Sequence, residues 1–308
     1  MGSGDEVFVR VPGKINLCLA VGALGADGFH PLATVFHAVS LHDDVSAGHA
    51  DDFSVAVCGD DTGLVPADDS NLAVRAARLL AERTQVSSGV RLTLTKRIPV
   101  AGGMAGGSAD AAAALLACDQ LWGTGLGREE LCELAAELGS DVPFALLGGT
   151  AVGRGRGDQV TPALARGEHH WVLALADGGL STPEVYAEYD RLRSTTSARD
   201  PEVSPHMMQA LRTGESRALG AAMHNDLQPA ALSLMPQLQQ TLDVGLAEGA
   251  HGGVVSGSGP TVAFLVPDSE AALDLSVVLS ASGACRSVVR VTGPVGGARL
   301  VEPVMHRT

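Results

Sequence analysis

The residues best suited to chemistry form a glycine-rich stretch in the first half of the chain. Gly102, Gly103, Gly106 and Gly107 lie close together, and Ser108 follows directly. Glycines let the backbone turn tightly and leave no side chains between its N–H groups and a ligand. The first N–H groups of a following helix, together with its dipole, favour an anion, most often a phosphate. The Ser108 hydroxyl could reach such a phosphate or a magnesium ion.

The spacing of these glycines differs from the two commonest phosphate loops. Gly102 and Gly107 have the four-residue spacing of a Walker A motif, but Ser108 stands where that motif requires a lysine. A dinucleotide-binding fingerprint also fails, because Met104 occupies its second glycine position. On the glycines alone, a phosphate site and a tight turn beside a close-packed helix both stay open.

Four polar residues elsewhere are further candidates, and each has a plain structural interpretation beside a chemical one. Lys14 and Asn16 project from one face of an alternating run, which is by default a solvated strand face. His30 lies in a turn and is by default a surface residue. Asp141 has a glycine two residues before it and a proline two residues after it, a pattern typical of a helix N-cap.

The segments around the glycine stretch predict the elements that hold it. Residues 90–95 alternate apolar and polar side chains, which is the period of a half-buried strand. Residues 111–122 are rich in Ala and Leu and predict a helix that ends at Gly123. The stretch therefore joins a strand to a helix.

The same reasoning predicts elements along the rest of the chain. Strands are predicted over 7–11 and 171–176, and an alternating run over 15–21. Helices are predicted over 71–84, with Asp69 and Ser70 as caps, and over 128–138. The glycines and charged residues of 153–158 predict a turn. The polar, charged, proline-containing stretch 191–205 predicts a mobile insertion, and a second domain is predicted to begin near residue 160, dividing the chain into 1–160 and 161–308.

Composition excludes several classes of function. The chain has 308 residues, 45% hydrophobic and 18% charged, as in an ordinary globular protein. Its formal net charge of −14 argues against nucleic-acid binding, which needs a basic surface. The same charge repels anionic substrates, so local donors must attract them.

The cysteines and the apolar segments bear on location. The five cysteines are odd in number and lack C-x-x-C spacing, which favours buried reduced thiols in a cytoplasmic protein. No apolar run has the length of a membrane helix, and the first six residues lack the features of a signal peptide. We therefore expect a small-molecule substrate, no nucleic-acid or membrane partner, and a monomer or weak homodimer.

A resemblance to a known family sharpens this interpretation. Residues 99–111 resemble the P-x-x-x-G-L-G-G-S-S-A/D-A-A motif of the GHMP kinases, the superfamily of galactokinase, homoserine kinase and mevalonate kinase. Further blocks occur in the same order as in one branch of that superfamily: P-G-K-I-N-L from residue 12, D-G-F-H-x-L from 27, L-G-S-D-V-P from 138, N-D-L from 225 and S-G-S-G-P-T from 256. Gly13 replaces the usual alanine and Phe29 the usual tyrosine, which keeps the ring face. Each block is weak evidence, but the ordered set is specific.

The resemblance implies a fold and an activity. The expected fold is α+β, with two domains and the active site in the cleft between them. The expected reaction transfers the γ-phosphate of ATP, with Mg²⁺, to the 2-hydroxyl of 4-diphosphocytidyl-2-C-methyl-D-erythritol in the non-mevalonate (MEP) isoprenoid pathway. A kinase for another small alcohol, homoserine or mevalonate, is the first alternative, and a non-catalytic nucleotide sensor is the second. The D-G-F-H turn and Tyr186 disfavour the first, and the presence of both Lys14 and Asp141 disfavours the second.

The resemblance also implies roles for individual residues. Lys14 and Asp141 would be catalytic, and Ser108 would contact the metal. The substrate would be held by Asn16, Phe29, His30, Thr182 and Tyr186. ATP would be bound by a continuous loop of eleven residues: Pro99, Val100, Ala101, Gly102, Gly103, Met104, Ala105, Gly106, Gly107, Ser108 and Ala109.

Overall fold

The computed structural model describes residues 6–60, 62–193 and 200–302. The first five residues, and residues 194–199 of the expected insertion, lie outside the described residues. Within the described ranges the strands are β1 Val7–Val21, β2 Leu32–Ala50, β3 Ser54–Gly59, β4 Gly89–Lys96, β5 Thr150–Gly155, β6 Gln159–Pro162, β7 His169–Leu175, β8 His224–Asn225, β9 Gly252–Val255, β10 Val262–Val266, β11 Ser287–Gly293 and β12 Arg299–Leu300.

The helices lie between these strands, mostly in groups of two or three. They are α1 Leu72–Thr84, α2 Gly106–Trp122, α3 Arg128–Leu138, α4 Val142–Leu147, α5 Thr182–Arg193, α6 Pro205–Thr213, α7 Ser216–Ala222, α8 Gln228–Leu234, α9 Gln237–Ala247 and α10 Ser269–Ser282, with a 3₁₀ turn at Thr62–Leu64.

Two sheets organise the molecule as an α+β protein. The larger has the strand order β12-β1-β2-β4-β3, with β5 and β6 added beside β2 and β8 added beside β1. The smaller has the order β11-β7-β10-β9 and is antiparallel throughout. Helix α2 packs on β1 and β2, and its alanines bring it close to the sheet.

The expected domain boundary at residue 160 falls inside β6. Two short strands from the second half of the chain pair with a strand from the first half. β8 and β12 belong to the second half of the chain, yet both pair with β1 of the first half. The larger sheet therefore draws strands from both halves.

Most predicted elements agree with the structure, and their limits differ for local reasons. Helix α3 and strand β4 lie where they were predicted, and Gly123 ends α2 with φ of 64°. Helix α2 begins five residues earlier than predicted, at the glycines themselves. The caps predicted for α1 were wrong: Asn71 is its N-cap and accepts a hydrogen bond from the Ala73 N–H at 2.9 Å.

Two expectations about class can also be compared with the structure. All five cysteines are free, but Cys58 is exposed, which corrects the expectation that every thiol is buried. Within the described ranges, no helix has the length and apolar character needed to cross a membrane.

Candidate active site

A cavity of about 1030 Å³ lies between the larger sheet, the glycine-rich loop and helix α5, all of which contribute lining residues. The first half of the chain contributes Lys14, Asp141 and the glycine-rich loop to its lining, and the second half contributes Tyr186 and Ser258. The cavity is thus a cleft with walls from both parts of the molecule.

Lys14 and Asn16 lie on β1 at the floor of this cleft. They are only 7% and 2% exposed, so the default interpretation of a solvated strand face was wrong. The Lys14 Nζ donates to Asn16 Oδ1 at 2.5 Å, and the Asn16 amide donates to Thr34 Oγ1 at 2.8 Å. Part of the burial of Lys14 comes from Gly257, which is distant in the chain. Gly257 packs so close that a Cβ added to it would lie 3.4 Å from the Lys14 Nζ.

Asp141 stands immediately before α4, as the helix-start interpretation predicted. Its side chain nevertheless caps no described backbone N–H of that helix. Its Oδ2 lies 3.6 Å from the Lys14 Nζ, and 30% of the side chain is exposed towards the cavity. The carboxylate is therefore free to accept a proton from a bound ligand while the lysine stabilises its charge.

The glycine-rich loop runs from the end of β4 into α2. Gly106 and Gly107 are the first two residues of that helix, so their N–H groups belong to its unpaired first turn and line the cavity. Positive φ falls instead on Ala101 (53°), Gly103 (73°) and Ala105 (59°). Ala105 occupies the position that follows the leucine of the GHMP motif, where the motif has glycine.

The turn at residues 256–261 braces this loop from the second half of the chain. The Ser256 hydroxyl donates to Gly103 O at 3.0 Å, and the Thr261 N–H donates to Gly102 O at 3.3 Å. A Cβ on Gly103 would come within 2.1 Å of Ser256 O, so the close approach requires glycine there. Asn225 holds the turn in place, since its amide donates to Val255 O and Gly257 O, each at 2.7 Å.

The eleven loop residues do not all face the cavity. Met104 and Ala109 are buried in the core, and among the described residues neither they nor Val100 line the cavity. The remaining eight do line it: Pro99, Ala101, Gly102, Gly103, Ala105, Gly106, Gly107 and Ser108.

Aromatic side chains from both halves gather at another part of the cleft. The His30 ring stacks on Tyr186 with centroids 5.2 Å apart and an interplanar angle of 26°. Its Nδ1 lies 2.9 Å from Gly22 O, and because a carbonyl only accepts, this nitrogen must carry a proton. Its Nε2 lies 3.4 Å from a carboxylate oxygen of Asp190. Nδ1 is thus already engaged within the protein, and Nε2 faces the Asp190 carboxylate.

Tyr186 brings this aromatic group close to the lysine–aspartate pair. Burial raises the pKa of its hydroxyl, and the negative charge of Asp141 raises it further. Thr182, at the start of the same helix, contacts the Ser258 hydroxyl at 2.9 Å. Helix α5 therefore joins the aromatic group to the turn that braces the glycine-rich loop.

Phe29 and Arg156 form the mouth of the cleft. Phe29 is 50% exposed, and the Arg156 guanidinium lies 3.7 Å from its ring centroid. The Arg156 Nη2 donates to Asp27 Oδ2 at 3.0 Å. The Phe29 N–H, followed by Arg156, lowers the pKa of Asp27. Among the described residues that line the cavity, Lys14 and Arg156 are the two with a full positive charge.

Arg156 and Asp190 are site residues that the sequence analysis missed. Arg156 lies in the stretch interpreted only as a turn, and Asp190 follows the α5 aromatic by one helical turn. The spacing of Asp190 from Tyr186 on a predicted helix was a usable signal, because residues four apart share a face. No local pattern marks Arg156.

The described residues contain no cluster of three or more His, Cys, Asp or Glu side chains suited to a metal ion. Mg²⁺ does not require one, because it is often held mainly by substrate phosphates and water. The Ser108 hydroxyl, in the first turn of α2, lines the cavity and fits a single protein contact of this kind.

A cleft of this construction, with a glycine-rich helix start on one wall and a lysine–aspartate pair on the floor, is that of a GHMP kinase. Residues 71–149 match the family model "GHMP kinases N terminal domain", and residues 207–285 match "GHMP kinases C terminal". A homoserine kinase structure from Cytophaga hutchinsonii has a TM-score of 0.75 and covers 98% of this chain and 99% of its own. At 19% identity, that likeness shows the fold alone.

Closer relatives narrow the family. A 4-diphosphocytidyl-2-C-methyl-D-erythritol kinase from Leifsonia xyli is 55% identical over 305 residues, covering 96% of this chain and 99% of the relative. A crystal structure of 4-(cytidine 5'-diphospho)-2C-methyl-D-erythritol kinase has a TM-score of 0.76 at 32% identity, covering 94% of this chain and all of its own. This chain belongs to the 4-diphosphocytidyl-2-C-methyl-D-erythritol kinase family.

Proposed function

We propose that this chain transfers the γ-phosphate of ATP to the 2-hydroxyl of 4-diphosphocytidyl-2-C-methyl-D-erythritol, a step of the MEP isoprenoid pathway. The observation that carries the proposal is the pair formed by Lys14 and Asp141, 3.6 Å apart in a cleft that also contains a phosphate-type loop. Family membership supports the choice of substrate.

ATP would bind with its phosphates against the start of α2. Gly106 and Gly107 line the cavity at the start of the helix, where the N–H groups have no partner within the helix and the dipole favours negative charge. A Cβ at Gly107 would meet only Leu72 at an ordinary contact distance of 3.5 Å. The protein itself therefore leaves room for a small side chain at this position. Mg²⁺ bound to the phosphates would neutralise their charge, with Ser108 as a contact.

The chemical step needs positioning more than covalent help. Phosphoryl transfer passes through a loose transition state, so the enzyme chiefly aligns the reacting groups and offsets charge. Asp141 would accept the proton of the 2-hydroxyl, because its carboxylate faces the cavity and makes no cap bond within described α4. Lys14 would stabilise negative charge that develops on the substrate oxygen. Asn16 holds the lysine in this position.

The cytidine end of the substrate would occupy the aromatic part of the cleft. We propose that Phe29 and Tyr186 lie on either side of the cytosine, since the first comes from the turn before β2 and the second from α5. Because the Nδ1 of His30 is engaged with Gly22 O and its Nε2 faces Asp190, the backbone near His30 is the better candidate to read the base edge. Thr182 would support this pocket through its contact with Ser258.

The diphosphate would then run between the base pocket and Lys14. Arg156 lies at the Phe29 end of that path, and Lys14 at the other. Two cations at the ends of the cleft would offset the substrate charge that the net charge of −14 otherwise repels. We further propose that the enzyme is cytoplasmic, that it is a monomer or weak homodimer, and that it has no nucleic-acid partner.

The test is an ADP-release assay with the cytidine substrate, homoserine and mevalonate offered in parallel. We expect turnover of the cytidine substrate and little of the other two. Homoserine or mevalonate turnover at a comparable rate would replace the proposed substrate, and ATP binding without any turnover would favour the sensor.

Asp141→Asn keeps the side-chain shape but cannot take the proton. We expect kcat to fall by about 10²–10⁴-fold with ATP binding retained. Asp190→Asn is the matched control, since it removes another carboxylate of the same cavity, and it should change KM more than kcat. An Asp141→Asn enzyme with nearly normal kcat would assign the proton acceptor to another group.

A further inference from the structure

A buried ionic cluster lies directly beneath the glycine-rich loop. We call Lys96, Asp43 and Asp110 the buried triad. All three side chains are at most 2% exposed. The Lys96 Nζ donates to Asp110 Oδ2 at 2.6 Å and to a carboxylate oxygen of Asp43. The triad is separate from the Lys14–Asp141 pair and has no part in the chemistry proposed above.

The triad holds the start of the loop. Lys96 is the last residue of β4, so the loop begins next to it. The second carboxylate oxygen of Asp43 accepts the backbone N–H groups of Arg97 at 2.6 Å and Ile98 at 2.9 Å. Asp43 itself is fixed by its position in the long strand β2.

The triad also holds the end of the loop. Asp110 lies in α2, one helical turn after its first residue, Gly106. The Lys96 Nζ also lies 3.4 Å from Gly106 O. One ammonium group therefore links the strand that enters the loop, the helix that leaves it and a third element of the sheet.

The loop between these two ends has a backbone that needs such support. Ala101, Gly103 and Ala105 have φ of 53°, 73° and 59°, in the left-handed region. Alanine rarely adopts this conformation, and it persists only where the surrounding structure holds it. Gly106 and Gly107, which open the helix and line the cavity, follow directly after Ala105.

We propose that Lys96, Asp43 and Asp110 are positioning residues for ATP, which fix both ends of the glycine-rich loop so that its N–H groups meet the phosphates. This inference rests on the proposed ATP site. It assigns the triad a role in nucleotide affinity beyond the stability of the fold.

The experiment compares Asp110→Ala with Asp110→Asn. The asparagine oxygen can still accept a hydrogen bond from Lys96, whereas alanine removes the link between α2 and Lys96. Asp44→Asn is the matched control, because Asp44 is the neighbour of Asp43 and pairs with Arg97 at the surface at 2.9 Å. ATP affinity is measured by calorimetry without acceptor substrate, and KM for each substrate by ADP release.

Asp110→Ala should raise the Kd and KM for ATP by about 10–100-fold, the size expected when binding groups are displaced. KM for the phosphate acceptor should change less than twofold, and Asp110→Asn should restore most of the ATP affinity. Asp44→Asn should leave both constants unchanged. Lys96→Met should give the same selective loss wherever it yields folded protein.

Unchanged ATP affinity in folded Asp110→Ala enzyme would overturn the inference, as would equal losses for both substrates. These outcomes are distinct from a failure of the proposed function. If the unsubstituted protein binds ATP but does not phosphorylate the cytidine substrate, calorimetry still tests the triad.

Discussion

Arg156 gives the sharpest test of how the cleft receives a charged substrate. Its guanidinium stacks on Phe29 and pairs with Asp27, so the cation is already oriented before any ligand enters. Replacing it with alanine removes one of the two positive charges of the described cavity lining. Replacing it with lysine keeps the charge but loses the flat group that stacks on the ring.

The size of the effect follows from the exposure of the side chain. A hydrogen bond to a charged group contributes roughly 1.5–3 kcal/mol, whereas an exposed ion pair contributes about 0.2–1 kcal/mol. Since 49% of the Arg156 side chain is exposed, we take about 1 kcal/mol. We therefore expect Arg156→Ala to raise KM for the cytidine substrate about fivefold and to leave kcat and KM for ATP nearly unchanged.

The assay is ADP release at varied substrate and saturating ATP, repeated at low and high salt. Arg154 lies two residues earlier on β5, is exposed and is absent from the described cavity lining, so Arg154→Ala is the matched control. The KM increase should shrink at high salt, because screening weakens exposed charges. Equal effects of the two alanine variants would refute the reasoning, since the general charge of the protein would then explain both.

Three further predictions concern the loop, the base pocket and a buried histidine. Gly107→Val should raise KM for ATP with little change in Tm, whereas Gly103→Ala should lower Tm, since its Cβ would come within 2.1 Å of Ser256 O. A large fall in Tm for Gly107→Val with unchanged KM for ATP, or an unchanged Tm for Gly103→Ala, would contradict this. Phe29→Ala should raise KM for the cytidine substrate but not for ATP, and the uridine analogue should be a poor substrate of the unsubstituted enzyme because its base edge exchanges donor and acceptor; equal turnover of the two would show that the base edge is not read. Burial lowers the pKa of His37 to about 3, so as the pH falls below about 6.5 the unfolded chain binds a proton at this residue before the folded chain does. The free energy of unfolding should therefore fall by about 2 kcal/mol between pH 7 and pH 5 because of this group. Urea unfolding of His37→Phe over the same pH range should show a correspondingly smaller loss.

Local pattern predicted the strand, the glycine-rich loop and the helix that follows it, because these elements depend on residues close in the chain. It failed for Lys14 and Asn16, whose default interpretation as a solvated face ignored the turn around Gly257 that covers them. That cover comes from more than two hundred residues away. No window of sequence contains it.

Asp141 and the buried triad show two other limits. The pattern around Asp141 correctly predicted the start of a helix, but the use of its side chain depends on the distance to Lys14 on β1. Lys96 lies just after the strand predicted over 90–95 and received no role from the sequence, because its two carboxylate partners lie on separate elements. The motif resemblance found the catalytic candidates because it compared whole sites, whereas Arg156, at the mouth of the cleft, was in none of the blocks used.

The pairing of the first strand with the last has a consequence for the protein during its synthesis. β1 meets β2 at once, but its other edge waits for β8 and β12, and the Val9–Leu300 pair joins residues almost three hundred positions apart. At translation rates of about 5–20 residues per second, that edge stays open for roughly 15–60 s on the ribosome. An open strand edge can pair with other chains. Nascent chains of this protein are therefore most exposed to aggregation along β1, the strand that carries Lys14, until β12 is made.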